Sequence, residues 1–515
     1  MGRPASLPSV SELRAEETLR EESQDDRAPA SSLGIAALAH DAAIYGGTRV
    51  LLKSLAFLLV PLYAAFLTPA QFGILELVIA TIAVVDVLIA ANMDGVFMRF
   101  YFDRDDSPWR RQIISIYLVI ETVYPAVVVG TLIAFSGVIS DRIFGTSAYS
   151  AYFVIALVDV YLTNVVDLPM MLCRVRRKPY TFAAYSLARG LVQIVASVLL
   201  VAVFEVGVKG ILIASLASVC FAFLITLREY LRDLTRVTEW RVAREMASFA
   251  WPGIIGGLSF YALNLMDRFF VKHYHGLAES GLYGVAFRYS QVVLVAVLAF
   301  RLGWTSWHYS WLNSGRHEQM VARGANYYFF ATGFLAVLVS AWILPVFHVA
   351  MPTRYWDATP AVAPLALAAV ATGAYNIFAV GLNVKKRMRL LPPLAVGGAL
   401  IAVGLYFLLI PTYSFQGAAW ATAASFAILA LATALVAHRI YPVPWDRYRI
   451  LLAATAAAGL CLASLAVDDS VSIGPSIPLR IAITAAFPLL LFAFRFFPPG
   501  DLAAVRTRLR RLVPG

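Results

Sequence analysis

Ile44-Tyr-Gly-Gly-Thr-Arg49-Val-Leu-Leu-Lys53-Ser-Leu-Ala-Phe-Leu-Leu-Val-Pro61-Leu-Tyr-Ala-Ala-Phe66 is a largely apolar run that carries two charges, Arg49 and Lys53. About 20 apolar residues in a helix cross the ~30 Å hydrocarbon core of a bilayer. Lipid offers the backbone no hydrogen-bond partners, so such a run takes the form that bonds its own peptide groups, a helix. Arg49 and Lys53 are four residues apart and share one helix face. An ionised side chain at the bilayer centre costs at least ~2.5–3.5 kcal/mol, so that face turns toward a cavity or a partner. The run predicts a membrane helix with a cationic stripe turned away from lipid.

The same pattern recurs along the chain. Of 515 residues, 60% are hydrophobic and 14% charged, and mean hydropathy is +0.74. Soluble domains average about 45–50% apolar and about 25% charged, which excludes a water-soluble enzyme here. Fourteen apolar runs of spanning length occur, at 44–66, 72–94, 113–136, 150–172, 181–204, 208–227, 249–271, 283–306, 326–349, 359–382, 391–410, 416–437, 450–467 and 478–496. The expected fold class is all-α, a polytopic membrane protein with about 14 transmembrane helices. The opening residues are rich in Ser, Pro, Glu and Arg and lack the apolar core of a signal peptide. Residues 1–40 are expected to form a disordered tail. Cys173, Cys220 and Cys461 are far apart inside apolar stretches and form neither a disulfide framework nor a zinc pattern.

The connections between runs alternate in charge. One set, together with the C-terminal tail, holds 27 Lys and Arg, while the alternate set holds only Arg142, Lys209, Arg268, Lys272, Arg354 and Arg480. Cytoplasmic loops carry the excess of basic residues, so both termini are expected in the cytoplasm. The net charge of +11 sits in these short clusters, which argues against nucleic acid as a partner.

An internal repeat follows at an offset of 207–209 residues. Gly210-Ile-Leu-Ile-Ala214-Ser-Leu-Ala217-Ser218 aligns with Gly417-Ala-Ala-Trp-Ala421-Thr-Ala-Ala424-Ser425. Arg176-Arg177-Lys178 aligns with Lys385-Lys386-Arg387, and Ala70-Gln-Phe-Gly73 with Ala278-Glu-Ser-Gly281. The repeat predicts two pseudo-symmetric six-helix lobes, 41–230 and 246–440, joined by a linker at 231–245. An extra helix pair at 441–500 and a basic tail at 501–515 complete the chain. Both lobes enter from the same side, so the symmetry axis lies along the membrane normal, an arrangement that puts a transporter's substrate site near midplane between the lobes. Small residues such as Gly210, Ala214, Gly417 and Ala421 serve close helix packing.

Five basic residues fall inside spans: Arg49, Lys53, Arg189, Arg288 and Arg301. They are the candidates for a hydrated cationic chamber between the lobes, suited to a pyrophosphate, because a guanidinium fork grips phosphate oxygens bidentately. The alternative is that they pair with acidic residues or snorkel to the interface. Of the acidic residues in spans (Glu76, Asp86, Glu121, Asp159, Asp167 and Asp267), Asp86 and Asp159 lie nearest mid-helix. These two are the candidates for coupling to a proton or cation. Glu76 and Asp267 lie near outer ends, where solvation accounts for them. Trp304, Trp307, Tyr309 and Trp311 form an interfacial aromatic belt. The chain contains no G-x-x-x-x-G-K-[ST] phosphate loop, H-E-x-x-H or G-x-S-x-G. Catalytic residues, cofactors and a resident metal are therefore not expected.

The first hairpin, Leu58-Leu-Val-Pro61-Leu-Tyr-Ala-Ala-Phe-Leu67-Thr-Pro69-Ala-Gln-Phe72-Gly73, resembles the opening of the bacterial polysaccharide transporter family, the Wzx-type lipid-linked oligosaccharide flippases. So do Met266-Asp267-Arg268-Phe269-Phe270 and Ser280-Gly281-Leu-Tyr283-Gly284-Val-Ala286-Phe, which match an Asp-Arg ending the seventh helix and a Gly-[ILV]-Tyr-x-x-Ala-[YF] opening the eighth. The resemblance covers residues ~40–500. It implies the MOP fold of two six-helix lobes around a V-shaped cavity, and alternating access that carries an undecaprenyl-pyrophosphate-linked glycan to the periplasmic leaflet of the bacterial inner membrane. Implied partners are that lipid-linked glycan, membrane lipids and the polymerase or ligase machinery of a surface polysaccharide such as O-antigen, capsule or exopolysaccharide. Arg49, Lys53 and Arg288 stand on helices equivalent to those used for the pyrophosphate, while Asp267 and Arg268 match a motif of structural or functional role. Lipid II flippases are expected to show Asp-Ala-Phe and Pro-Asn-x-x-Arg patterns that this chain lacks. Multidrug extruders favour an acidic cation site, and a polytopic glycosyltransferase or polymerase favours a long periplasmic loop.

Overall fold

The computed structural model describes residues 32–90, 93–104, 106–312, 314–470 and 473–497, and no strand occurs among them. Thirteen helical segments there are long and apolar enough to cross a membrane: α1 Ile44–Phe66, α2 Pro69–Tyr101, α3 Ser107–Ala134, α4 Ser147–Val175, α5 Pro179–Val203, α6 Val208–Glu229, α7 Trp240–His275, α8 Leu277–Arg301, α9 His317–Ala350, α10 Thr353–Val384, then Met388–Ile440, Arg447–Asp468 and Gly474–Ala493. At 53 residues, Met388–Ile440 would be roughly 80 Å long as one helix, more than twice the ~30 Å core. It breaks at Ser414, whose φ of 50° and ψ of −139° leave the helical region. The two halves are α11 and α12, and the last two segments are α13 and α14, so fourteen spans result. The helix containing α1 begins at Ser32, within the stretch assigned above to the tail; the Ala- and Leu-rich residues there favour helix. Residues 1–31 and 498–515 lie outside the described residues.

α1–α6 form one lobe and α7–α12 the other, with α13 and α14 packed on α9. Arg480, counted above among loop arginines, is fully buried inside α14. It meets Asp468 of α13 at 2.6 Å and donates to the Ala341 carbonyl of α9 at 2.6 Å. The buried ion pair thus ties the two added helices to each other, and the same arginine's hydrogen bond to Ala341 ties them to the second lobe. Arg268 is likewise buried rather than placed in a loop.

The lobes meet most closely where α2 crosses α8. A Cβ on Gly73 would strike the Leu277 carbonyl oxygen, and a Cβ on Gly281 would strike the Pro69 carbonyl oxygen. Each glycine therefore faces the carbonyl four residues before the other, the reciprocity expected of a pseudo-twofold axis. These are the glycines matched in the repeat, and only a residue without a side chain permits such backbone approach. Nearby, Arg354, in the first turn of α10, donates to the carbonyls of Ala64 and Ala65 at 2.8 and 2.7 Å. Tyr355 donates to the Leu67 carbonyl at 2.8 Å. The second lobe thereby satisfies the carbonyls left open at the end of α1. All these contacts lie at the end of the bundle away from the Lys/Arg-rich connections, here called the basic-poor end. At the basic end, the start of α7 rests on the α2–α3 turn: Phe249 stacks edge-on to Phe100 with centroids 5.9 Å apart, and Gln112 donates to the Arg236 carbonyl at 2.7 Å.

The backbone on both sides of the crossing cannot yield to an added methyl. Gly281→Ala should therefore lower the detergent-solubilised melting temperature, consistent with ~1–3 kcal/mol for overpacking. Gly130→Ala, where a Cβ meets nothing within 4 Å, should leave it unchanged or raised. Equal melting temperatures for the two variants would contradict the crossing.

Candidate functional site

The interface between the lobes is built around one carboxylate. Glu76 sits on α2 one turn inside the glycine crossing, and its side chain occupies the space left by Gly284, where any Cβ would collide with it. Arg268 Nε donates to Glu76 Oε2 at 3.0 Å, and Arg288 Nε donates to Oε1 at 2.8 Å. Arg288 Nη2 lies 2.6 Å from the same oxygen. Arg268 Nη1 donates to Asp267 Oδ1 at 2.9 Å and to the Asn264 carbonyl at 2.8 Å. Asp267 accepts a further bond from the Tyr283 hydroxyl and one from Thr422 at 3.3 Å. Two acids and two arginines thus balance in charge, and their forks fill each other's hydrogen-bonding capacity.

Burial shows how the four differ. Glu76, Asp267 and Arg268 are 3%, 0% and 1% exposed. Solvation at the outer ends does not account for Glu76 and Asp267: both point inward, and the crossing of α2 and α8 excludes water from them. Arg268 additionally lies over the Phe287 ring at 4.4 Å. Arg288 alone is partly open, with 26% of its side chain exposed. Its open side lines a cavity of about 450 Å³ together with Lys53, Ser54, Phe57 and Gln291. Arg288 is therefore shared between a buried carboxylate and an accessible chamber.

The other candidates are distributed. Lys53 and Arg288 come together in that chamber between α1 and α8; Arg49 lies one turn from Lys53 on the same helix, and its side chain is outside the described ones. Arg189 lines a different cavity of about 350 Å³ within the first lobe, beside Asp167, Arg174 and Gln193, and donates to Thr163 at 3.1 Å. Arg301 lines a third, of about 220 Å³, in the second lobe near Trp304, Tyr309 and Asn376. Trp304 and Trp307 pack against Gly324, which leaves room for their rings. Asp86 borders a fourth cavity, of about 430 Å³, between α2, α7, α10 and α11. It accepts from Asn164 Nδ2 at 3.2 Å. Asp159 accepts from Ser215 at 3.2 Å.

Sequence reasoning missed Glu76 as the hub. The repeat offset held a signal: Gly73 aligns with Gly281, so Glu76 aligns with Gly284, a large polar residue opposite an empty position. Asn164, the partner of Asp86, was missed as well, and Tyr283, read only as part of a motif, is the partner of Asp267.

Comparison with known proteins agrees with this architecture. The lipid II flippase MurJ in its inward closed conformation superposes with a TM-score of 0.65 at 13% identity, covering 89% of this chain and 99% of that one. An inward-facing multidrug resistance MATE family transporter of the MOP superfamily gives 0.63 at 13% identity, covering 76% and 95%. The Vibrio cholerae MATE transporter VcmN in the bent form gives 0.52 at 13% identity, covering 79% and 98%. At these identities the likeness is one of fold. A comparison with curated proteins gives no match. Residues 38–301, just over half the chain, match the family described as Polysaccharide biosynthesis protein. The chain belongs to that polysaccharide biosynthesis family and is a multi-pass membrane protein with the fold of the MOP flippase superfamily.

Proposed function

We propose that this protein is a flippase that turns an undecaprenyl-pyrophosphate-linked oligosaccharide from the cytoplasmic to the periplasmic leaflet of a bacterial inner membrane. The observation that carries the reading is Arg288, which lines an accessible chamber with Lys53 while bonding the buried Glu76. Two cations in a chamber at the lobe interface suit an anionic pyrophosphate, whose oxygens accept charge-assisted hydrogen bonds. They do not suit a cationic drug. The polyprenyl chain stays in lipid, the solvent that fits it.

The geometry supplies a route from binding to rocking. With the lobes held at the basic-poor end by the glycine crossing and Glu76, and touching at the basic end through the start of α7 and the α2–α3 turn, the chamber is taken to serve the basic end, cytoplasmic by the loop charges. A pyrophosphate at Lys53 and Arg288 competes with Glu76 for the Arg288 guanidinium. That competition weakens one of the two ties between α2 and the second lobe, while Arg268 keeps the other. The lobes then part at the glycine crossing and release the headgroup on the far side, where polymerase or ligase machinery takes the product. Of the two mid-helix aspartates, Asp159 is the coupling carboxylate in this reading, because its Oδ1 is buried without a hydrogen-bond partner.

Three outcomes test this. In proteoliposomes carrying the full chain and a lipid-linked oligosaccharide, Lys53→Ala with Arg288→Ala should slow leaflet exchange at least about tenfold, the loss of one charge-assisted bond of ~1.5–3 kcal/mol. Unchanged exchange in a well-folded double variant would overturn the chamber. Glu76→Gln should speed labelling of a cysteine placed at the fully buried Ser280 by an impermeant thiol reagent, because the seal loosens; wild-type labelling would remove its role as a tie. Asp159→Asn should abolish the dependence of exchange on an imposed ion gradient, and a preserved dependence would assign coupling elsewhere.

A further inference from the structure

The two cavities at the lobe interface differ in chemistry. The chamber between α1 and α8 presents Lys53 and Arg288. The one between α2, α7, α10 and α11 presents Asp86, and neither Lys nor Arg is among its lining residues. By helix rise, Lys53, Arg288 and Asp86 lie roughly 20, 17 and 25 Å from the basic-poor ends of their helices, so the two cavities sit at comparable depth.

The second cavity has the features that recognise a sugar. Asp86 is exposed to it, and Asn164, 4% exposed, holds the carboxylate in place by donating to Oδ1 while its amide also bonds the Val160 carbonyl at 2.9 Å. A carboxylate accepts hydrogen bonds and a sugar hydroxyl or amide donates them. Phe260 and Tyr375, with ring centroids 5.5 Å apart, give an apolar wall against which the C–H face of a pyranose rests. One turn before Phe260 on the same helix, α7 carries Gly253, Gly256 and Gly257, and a Cβ at Gly256 would meet nothing within 4 Å. The backbone therefore leaves room for a flat ring.

We infer that this cavity takes the sugars next to the pyrophosphate, and that Asp86 selects neutral or amide-bearing sugars against acidic ones. The inference rests on the flippase reading and adds a substrate class to it. A uronic acid brings an acceptor-only, negatively charged group to an acceptor-only carboxylate, and juxtaposed like charges cost enough to reject a partner. Asp86 acts here as a specificity residue, a role separate from ion coupling.

The test uses full-length protein in proteoliposomes with two synthetic polyprenyl-pyrophosphate disaccharides, one with an N-acetylhexosamine next to the pyrophosphate and one with a hexuronic acid. Wild type should move the first at least about tenfold faster, and Asp86→Asn should bring the two within about twofold, mainly by speeding the acidic one, because the like-charge opposition is gone. Equal wild-type rates would overturn the inference, and so would an unchanged ratio in Asp86→Asn. A variant that slows both equally and loses ion dependence would make Asp86 a coupling residue instead. If Asp86→Asn fails to fold, the wild-type ratio decides alone. Movement of neither compound would remove the flippase reading itself, an outcome distinct from equal movement of both.

Discussion

Arg268 and Arg288, both from the second lobe, end on the single carboxylate of Glu76 in the first, at 3.0 and 2.8 Å. In a bilayer this arrangement constrains everything around it. Breaking a buried ion pair by removing one partner costs about 3–5 kcal/mol, because the remaining charge is stranded. The lobes can separate at this level only if water or another anion replaces Glu76 at the arginines. In the flippase proposed above, the anionic headgroup would bring that replacement with it, and binding and opening would share one interaction.

The backbone had to be shaped for this contact. Gly73 and Gly281 let α2 and α8 approach until each would touch the other's carbonyls through a methyl, and Gly284 opens the space that Glu76 fills. The pseudo-twofold symmetry is therefore kept in the crossing and broken one turn further on, where a glycine in one lobe faces a glutamate in the other. Arg354 and Tyr355 extend the same seal by capping the end of α1. Closure at this end is polar and directional. A seam of ion pairs and backbone hydrogen bonds has discrete joined and parted arrangements, whereas apolar packing in lipid gives helices little reason to separate or rejoin.

Much of the fold was legible because bilayer physics writes it locally. Span length needed only neighbouring residues, the Lys/Arg alternation and the repeat only a comparison of one stretch of sequence with another, and the break at Ser414 showed as two runs separated around Pro411 and Gly417. The site was legible only in part. Lys53 and Arg288 announced themselves as cations in apolar runs, but their partners could not be read, since Glu76 lies 192 residues from Arg268 and 212 from Arg288. Arg480 and Arg268 looked like loop residues because both stand near the edges of apolar runs. Tertiary contacts with Asp468 and Glu76 are what allow them inside.

The measurement that bears most directly on this account is the distance between spin labels at Phe66 and Val349, exposed positions at the basic-poor ends of the two lobes, with Cys173, Cys220 and Cys461 replaced. The account predicts two distance populations, the longer one growing when a lipid-linked oligosaccharide is added. A single distance, indifferent to substrate, would contradict it, because the lobes would then be a fixed body and the Glu76 seam a structural brace.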